Sequence, residues 1–219
     1  MLARLEIIDG IAVLNLGDDE NRFSLDWLAT VNGFLQRIES GEAKALVSTA
    51  SGKFYSNGLD LDWLAAHGDQ HDWYVDQVHQ LFARVLLAPV PTVAAVNGHA
   101  FGAGSMLATD HDFRVMRVDR GYFCFPEVDI HIPFTPGMAA LIQAKLTPAA
   151  AVEAMTTGRR YGGADAAAIG LVTTTASEGE VTSTAVDLVT ALKGKDPGTL
   201  RAIKATMFAS VAAALLGTA

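Results

Sequence analysis

The apolar positions of this chain switch repeatedly between two spacings. Short runs rich in Val, Ile, Leu and Ala read as strands. Longer stretches with apolar residues three and four apart read as helices. Leu2–Ile8 and Ile11–Leu16 are strand-like runs joined by Asp9-Gly10, a dipeptide that favours a hairpin turn. Ser24 is placed to cap a helix from Leu25 to Glu39, with Leu28, Val31, Leu35 and Ile38 on one face. Ala45–Thr49 predicts a short buried strand, and Trp73–Leu87 a helix stopped by Pro89 and Pro91. Thr92–Val96, Phe113–Val118 and Tyr122–Phe125 predict further strands. Thr147-Pro148 opens a helix that Gly158 closes. Ala164–Ile169 predicts a short helix, and Gly170 hands over to a strand, Leu171–Thr175. The remainder reads as two helices, Glu180–Leu192 and Pro197–Leu216. In the last, Leu200, Ile203, Met207, Val211 and Leu215 form an apolar stripe at helical spacing.

Strands thus alternate with helices until the last third, which is helical. That pattern implies an α/β fold with parallel strands and right-handed crossovers. With 219 residues the chain fits one compact domain. Half of it is hydrophobic and only 18% is charged. The apolar excess implies either a buried subunit interface or simply a large core. The net charge of −8, without a basic block, argues against nucleic acid as a partner. Cys124 is the single cysteine, which excludes an intramolecular disulfide and a thiolate metal site. No signal-peptide h-region opens the sequence, and the Leu81–Val96 run is broken by prolines. Met207–Leu216 is too short to span a bilayer, and the final Gly-Thr-Ala is no peroxisomal address. The expectation is a soluble cytoplasmic protein that does not enter a membrane.

Three segments carry the chemistry: KFYSNGLDLDW (53–63), AAVNGHAFGAGSMLATD (94–110) and FPEVDI (125–130). Each glycine loop follows an apolar run and leads into a helix-like stretch. That layout can aim backbone N–H groups at one point and so hold an oxyanion. Glu127 would supply a base. For either loop alone, tight turns and close packing explain the glycines equally well.

The strings FYSNGLDL, AAVNGHAFGAGSMLATDHD and FPEVDI resemble the signature segments of the crotonase family, also called the enoyl-CoA hydratase/isomerase family. The resemblance runs from the N-terminal hairpin through GRRYGGADAAAIGLV, in order and approximate spacing. It implies a spiral of ββα units over residues 1–160, carrying an acyl-CoA site. It also implies a C-terminal helical region over 161–219 that packs in trimers, often paired into hexamers. Coenzyme A would be part of the substrate; no separate cofactor and no metal is implied. The backbone N–H groups of Leu59 and Ala103 match the family's oxyanion donors. Ser56, Asn57, Gly58, Gly102, Gly104 and Met106 match positions around the substrate. Removing a proton beside a thioester puts charge on the carbonyl oxygen, and losing one donor costs about 3–4 kcal/mol of barrier.

Family hydratases use two glutamates to activate water. Glu127 matches one of them, and Met106 stands where the other belongs. Methionine can neither accept a proton nor orient water. The pattern fits the family's 3-enoyl-CoA to 2-enoyl-CoA isomerases, in which one glutamate moves a proton from carbon 2 to carbon 4. SNGLDL and MRVDRG (116–121) add to that likeness. A hydratase, a thioester hydrolase and a non-catalytic acyl-CoA binder are the alternatives. A family tail is usually longer than this one, which would alter trimer packing or open the acyl pocket. Phe125, Pro126, Val128, Ile130 and Met106 offer Glu127 an apolar wall that would raise its pKa. Otherwise Glu127 is a strand-end carboxylate, solvated or paired with Arg120 or Arg114. If the segment is extended, Asp129 and His131 share its face; Asp129 reads as a supporting residue. Asp60 reads as a helix cap. His67, His71 and His79 are spaced for a metal face but read as surface residues. His99 lies in the second loop, either near the thioester or bonding the loop. Lys53 and Arg22 are candidate phosphate-binding cations or plain surface charges. Trp63, Trp73 and Phe101 line an acyl channel or belong to the core.

Overall fold

The structure is a computed structural model that describes residues 2–218. In chain order the first elements are β1 (Arg4–Ile8), β2 (Ile11–Asn15), α1 (Leu25–Glu39), β3 (Ala45–Thr49), β4 (Phe54–Ser56), α2 (Leu61–Ala66) and α3 (His71–Leu86). Then come β5 (Thr92–Val96), β6 (His99–Phe101), α4 (Ala103–Asp110), β7 (Phe113–Arg117), β8 (Phe123–Cys124) and α5 (Pro136–Lys145). The chain continues through α6 (Pro148–Thr157), α7 (Gly163–Ala168), β9 (Thr174–Ala176), α8 (Val181–Thr190), α9 (Pro197–Met207) and α10 (Ala209–Leu216).

The hairpin forms as its sequence requires. Asp9 and Gly10 both take positive φ, +51° and +77°, and β1 pairs antiparallel with β2 in the Ile8–Ile11 register. Positive φ at both turn positions lets a two-residue loop follow the strand twist. Every later pairing between named strands is parallel. Six strands form one sheet in the order β1-β2-β3-β5-β7-β9, and three form another, β4-β6-β8. Three successive returns of the chain each add one strand to each sheet: β3 then β4, β5 then β6, β7 then β8. That is a spiral of ββα units, as the resemblance implies.

The central strands of the six-stranded sheet are buried on both faces. Leu46, Ala94 and Met116 belong to the main core with Trp27, Leu35, Phe82 and Leu107. Val47, Val93 and Val115 face the other way, onto Val181, Ala185 and Val189 of α8. Double coverage explains why β3 and β5 show no alternation of buried and exposed positions.

Several local expectations change. The strand expected at Leu171–Thr175 starts later, at Thr174 of β9. Leu171 and Val172 both donate to Ala166 O in the tight turn after α7, and pairing with β7 starts only at Thr174. The single last helix is two helices bent by 76°, because Phe208 turns into the core and ends α9. The stripe divides with it: Val211 and Leu215 are buried, whereas Ile203 and Met207 are exposed. Helix α5 was not anticipated, although Thr135-Pro136 is the same cap that opens α6; each threonine accepts a hydrogen bond from the third residue on. Among the described residues no single helix is long and apolar enough to cross a membrane.

Candidate active site

Each strand of the small sheet ends in one piece of the site. Strand β4 runs into Asn57-Gly58-Leu59, β6 into Gly102-Ala103, and β8 into Pro126-Glu127. Because the strands are parallel, all three pieces leave from carboxyl ends, where open parallel sheets bind ligands. They enclose a pocket of about 290 Å³ lined by Asn57, Leu59, Gly102, Ala103 and Glu127. Phe101, Cys124, Pro126, Ile130 and Ile132 supply apolar wall, and Arg22, Leu61, Asp62 and Arg160 complete the lining.

The glycines bring the loops together. A Cβ on Gly58 (φ +80°) would lie 2.8 Å from Ala103 N, and one on Gly104 would lie 2.3 Å from Ser56 O. Close packing therefore sets the glycines: the two loops reach backbone contact only where the approaching residue carries no side chain. Around Leu59 the other N–H groups are occupied. Asn57 donates to Glu20 O at 2.8 Å, Gly58 to Ser56 Oγ at 3.1 Å and Asp60 to Tyr74 Oη at 2.9 Å. Leu59 N–H has no acceptor among the described residues. Ala103 is the first residue of α4, and its N–H likewise has no acceptor among them. The positive end of the helix adds to its pull on an anion. Two free donors thus border one pocket. Ser56, Gly58, Gly104 and Met106 stand behind that lining; Met106 is fully buried in α4.

Glu127 is 8% exposed, and its Oε2 is buried without a hydrogen-bond partner among the described residues. Burial raises its pKa from 4.5 to about 7, against a smaller opposing pull from its own backbone N–H. A Cβ on Gly102 would lie 3.3 Å from Oε1, so the carboxylate rests against the second loop. No ion pair with Arg114 or Arg120 forms. Arg114 gives its guanidinium to the carbonyls of Leu171, Thr109 and His111. The segment is not extended. Asp129 and Ile130 donate to Pro126 O, and Ile132 donates to Glu127 O. This turn sends Asp129 toward Gly158, where a Cβ would meet its Oδ2 at 2.4 Å, and leaves His131 exposed at φ +59°. Neither lines the pocket.

Other candidates take defined places. Asp60 caps α2 by accepting from Trp63 N at 3.2 Å. Arg22 binds Glu20 and Asp62 at the pocket's edge, and Lys53 lies over the Phe54 ring. Trp63 stacks on His67 and Tyr74, Trp73 is half exposed, and of the three aromatics only Phe101 lines the pocket. His99 packs among Phe54, Phe101 and Tyr122. Burial, then Lys53, Arg120 and Arg160, hold its pKa below the usual imidazole value. His79 is not a surface residue: it is buried, 2.8 Å from Thr135 Oγ1. Cys124 is buried with its thiol pushed up to about 11 by burial, and its Sγ donates to Gly158 O.

One contributor escaped sequence reading. Asn21 is 7% exposed, adopts φ +51° and donates to Phe54 O and Tyr55 O at 3.2 and 3.1 Å. Its carbonyl accepts from Ser56 Oγ at 2.8 Å. Asn21 thus clamps the first glycine loop. A lone polar residue ahead of the Ser24 cap carries no pattern that says so.

Residues 6–218 match the model of the enoyl-CoA hydratase/isomerase family. Enoyl-CoA delta isomerase 2, peroxisomal, of Arabidopsis thaliana is 39% identical over 160 residues, 68% of this chain and 66% of that relative. The match therefore spans just under two thirds of the relative's length. A probable enoyl-CoA hydratase of Mycobacterium tuberculosis H37Rv superposes with a TM-score of 0.92 at 24% identity, over 100% of this chain and 93% of that one. The human mitochondrial delta3-delta2-enoyl-CoA isomerase gives a TM-score of 0.91 at 22% identity, over 99% and 87%. These two likenesses establish a shared fold.

Proposed function

The chain belongs to the enoyl-CoA hydratase/isomerase family, and on that premise we propose that it is an enoyl-CoA isomerase converting 3-enoyl-CoA to 2-enoyl-CoA. One observation carries this reading: Glu127 is the pocket's only carboxylate free of a cation among the described residues. Asp62, the other acidic residue of the lining, is tied to Arg22. Position 106, where a second acid would orient water, is a buried methionine.

The thioester carbonyl accepts hydrogen bonds from Leu59 N–H and Ala103 N–H. Glu127 takes a proton from carbon 2, and the electron pair spreads over a dienolate whose charge the two donors stabilise. Glu127 then returns the proton at carbon 4, leaving the double bond between carbons 2 and 3. Protons balance within one turnover, so a single base and no water suffices. Coenzyme A enters as part of the substrate. Assembly into trimers or hexamers belongs to the proposal, as does the division into residues 1–160 and a helical region 161–219. So does a cytoplasmic location, against the peroxisomal name of the Arabidopsis relative. Light scattering and cell fractionation test them.

Purified protein offered 3-enoyl-CoA and 2-enoyl-CoA separately tests the reaction. Loss of the 3-enoyl form to the 2-enoyl form is the expected result. Rapid conversion of 2-enoyl-CoA to a 3-hydroxyacyl product would make the protein a hydratase instead. Binding of both esters without turnover would make it a non-catalytic binder.

A further inference from the structure

Leu59 N–H, one of the two free donors at the pocket, belongs to the peptide that joins Gly58 to Leu59. The plane of that peptide sets its direction, because the C=O and N–H of one trans amide point opposite ways. The carbonyl is held: Gly58 O accepts from Phe23 N at 2.8 Å. Phe23 is fully buried and stacks on Trp27 with ring centroids 4.6 Å apart, so it is a fixed point of the core. An amide whose carbonyl accepts a hydrogen bond is also a stronger donor, since bonds in a chain polarise one another.

The peptide after the donor is held by a side chain from another element. Asp60 N–H donates to Tyr74 Oη at 2.9 Å, and that hydroxyl donates its own proton to Phe23 O at 2.9 Å. The two amide groups that flank Leu59 are therefore both tied to Phe23, one directly and one through Tyr74. Leu59 N–H lies between these ties and has no acceptor among the described residues. Tyr74 sits in α3, fully buried, with its ring stacked on Trp63 at 5.3 Å. A phenol can donate once and accept, and both capacities are used here. Burial pushes its pKa up to about 12, so it keeps the proton that the bond to Phe23 needs. The other backbone anchors of this loop, on Asn57 N, Gly58 N and Gly58 O, all lie ahead of Leu59 N–H. Beyond it, α2 contains no buried residue, so Tyr74 provides the first tie to another element after the donor.

We propose that Tyr74 is a positioning residue for the oxyanion hole: its hydroxyl locks the backbone on the far side of Leu59, so that Leu59 N–H stays aimed at the thioester oxygen. The inference rests on the thioester chemistry proposed for this pocket. Tyr74 touches neither the substrate nor the reacting atoms; it acts through Asp60 N–H and Phe23 O. A donor fixed before the substrate arrives needs no reorganisation when charge develops, which is where such a donor gains its effect.

Tyr74→Phe deletes the hydroxyl and keeps the ring. For 3-enoyl-CoA, kcat per folded molecule should fall roughly tenfold while KM barely changes, because a misaimed donor costs most where the charge is greatest. A second readout needs only a bound thioester. With hexanoyl-CoA isotope-labelled at its carbonyl, infrared difference spectra of the parent should show the carbonyl stretch below its value in water. In Tyr74→Phe the stretch should move back toward that value. A third readout needs no variant: in the parent, the Asp60 amide should be protected from hydrogen exchange. Parent kcat in the variant, an unchanged carbonyl stretch, or a freely exchanging Asp60 amide would each reduce Tyr74 to a core residue. A parent that binds hexanoyl-CoA but leaves 3-enoyl-CoA unconverted would end the proposed reaction, and the carbonyl stretch would then decide the role of Tyr74.

Discussion

The two sheets divide the work of this molecule. The six-stranded sheet is built from strands such as β3 and β5, five residues long and buried at every position. Helices cover both its faces, so its side chains hold the spiral together. The other sheet has strands of three, three and two residues. It adds Tyr55, Ala100 and Phe123 to the main core, and each strand's carboxyl end delivers one component of the pocket. The same returns of the chain feed both sheets, so residues that stabilise and residues that react alternate along the sequence. On the proposed reading, stability and catalysis divide by strand, although not by sequence region.

The sharpest way to separate them is Glu127→Gln. It removes the base while keeping the shape, and kcat for 3-enoyl-CoA should fall by about 10²–10⁴-fold. CoA-ester affinity measured by calorimetry should stay near the parent value. Turnover that survives the change would take the reaction away from the small sheet altogether. The mirror experiment is Leu46→Ala in β3, where the side chain is fully buried. Denaturant unfolding should show a loss of about 2–5 kcal/mol, with kcat per folded molecule unchanged. If kcat falls too, the sheets are coupled and the division fails.

One residue belongs to both accounts, and pH reveals it. The pKa of Glu127 is raised from 4.5 to about 7 in the fold, so between those values the folded state holds more proton than the unfolded state. Stability then declines as pH rises through that window. The full cost at alkaline pH is about 3 kcal/mol. Turnover moves the opposite way, rising through pH 7 as the base ionises. Glu127→Gln should abolish this slope in the unfolding free energy and so be more stable than the parent above pH 7. A parallel slope in the variant would assign it to other groups.

The two sheets also differ in how far the sequence reveals them. Strands β1, β2, β3, β5 and β7 were legible because short runs rich in Val, Ile, Leu and Ala between turn signals suffice to identify a strand. The caps at Ser24, Asp60 and Thr147 were legible because capping is local chemistry. Strands of two or three residues carry no periodicity, so β4 and β6 were visible only as the approach to glycine loops. Glu127 was legible through the motif around it, but its surroundings were not. The turn from Pro126 to Ile132, which buries the glutamate and turns Asp129 away, depends on backbone bonds that no spacing encodes. The bend at Phe208 was hidden for a similar reason: the helical stripe continues across it, and only tertiary packing breaks it.

Ser56→Ala gives the finest test, because it acts on the small sheet without touching the pocket. Ser56 is fully buried at the end of β4. Its Oγ donates to Asn21 O at 2.8 Å and accepts from Gly58 N at 3.1 Å. One hydroxyl therefore ties the Asn21 clamp to the residue just before the Leu59 donor. Alanine leaves Gly58 N–H and Asn21 O buried without partners, costing about 1–3 kcal/mol of stability. It also frees the Leu59 N–H to swing. Because that donor acts most strongly on the charged intermediate, kcat should drop roughly tenfold while KM barely changes. A purely structural role would lower stability and leave kcat per folded molecule intact. The kcat–KM split, measured well below the melting temperature, therefore decides whether the small sheet aims the oxyanion donor or merely carries it.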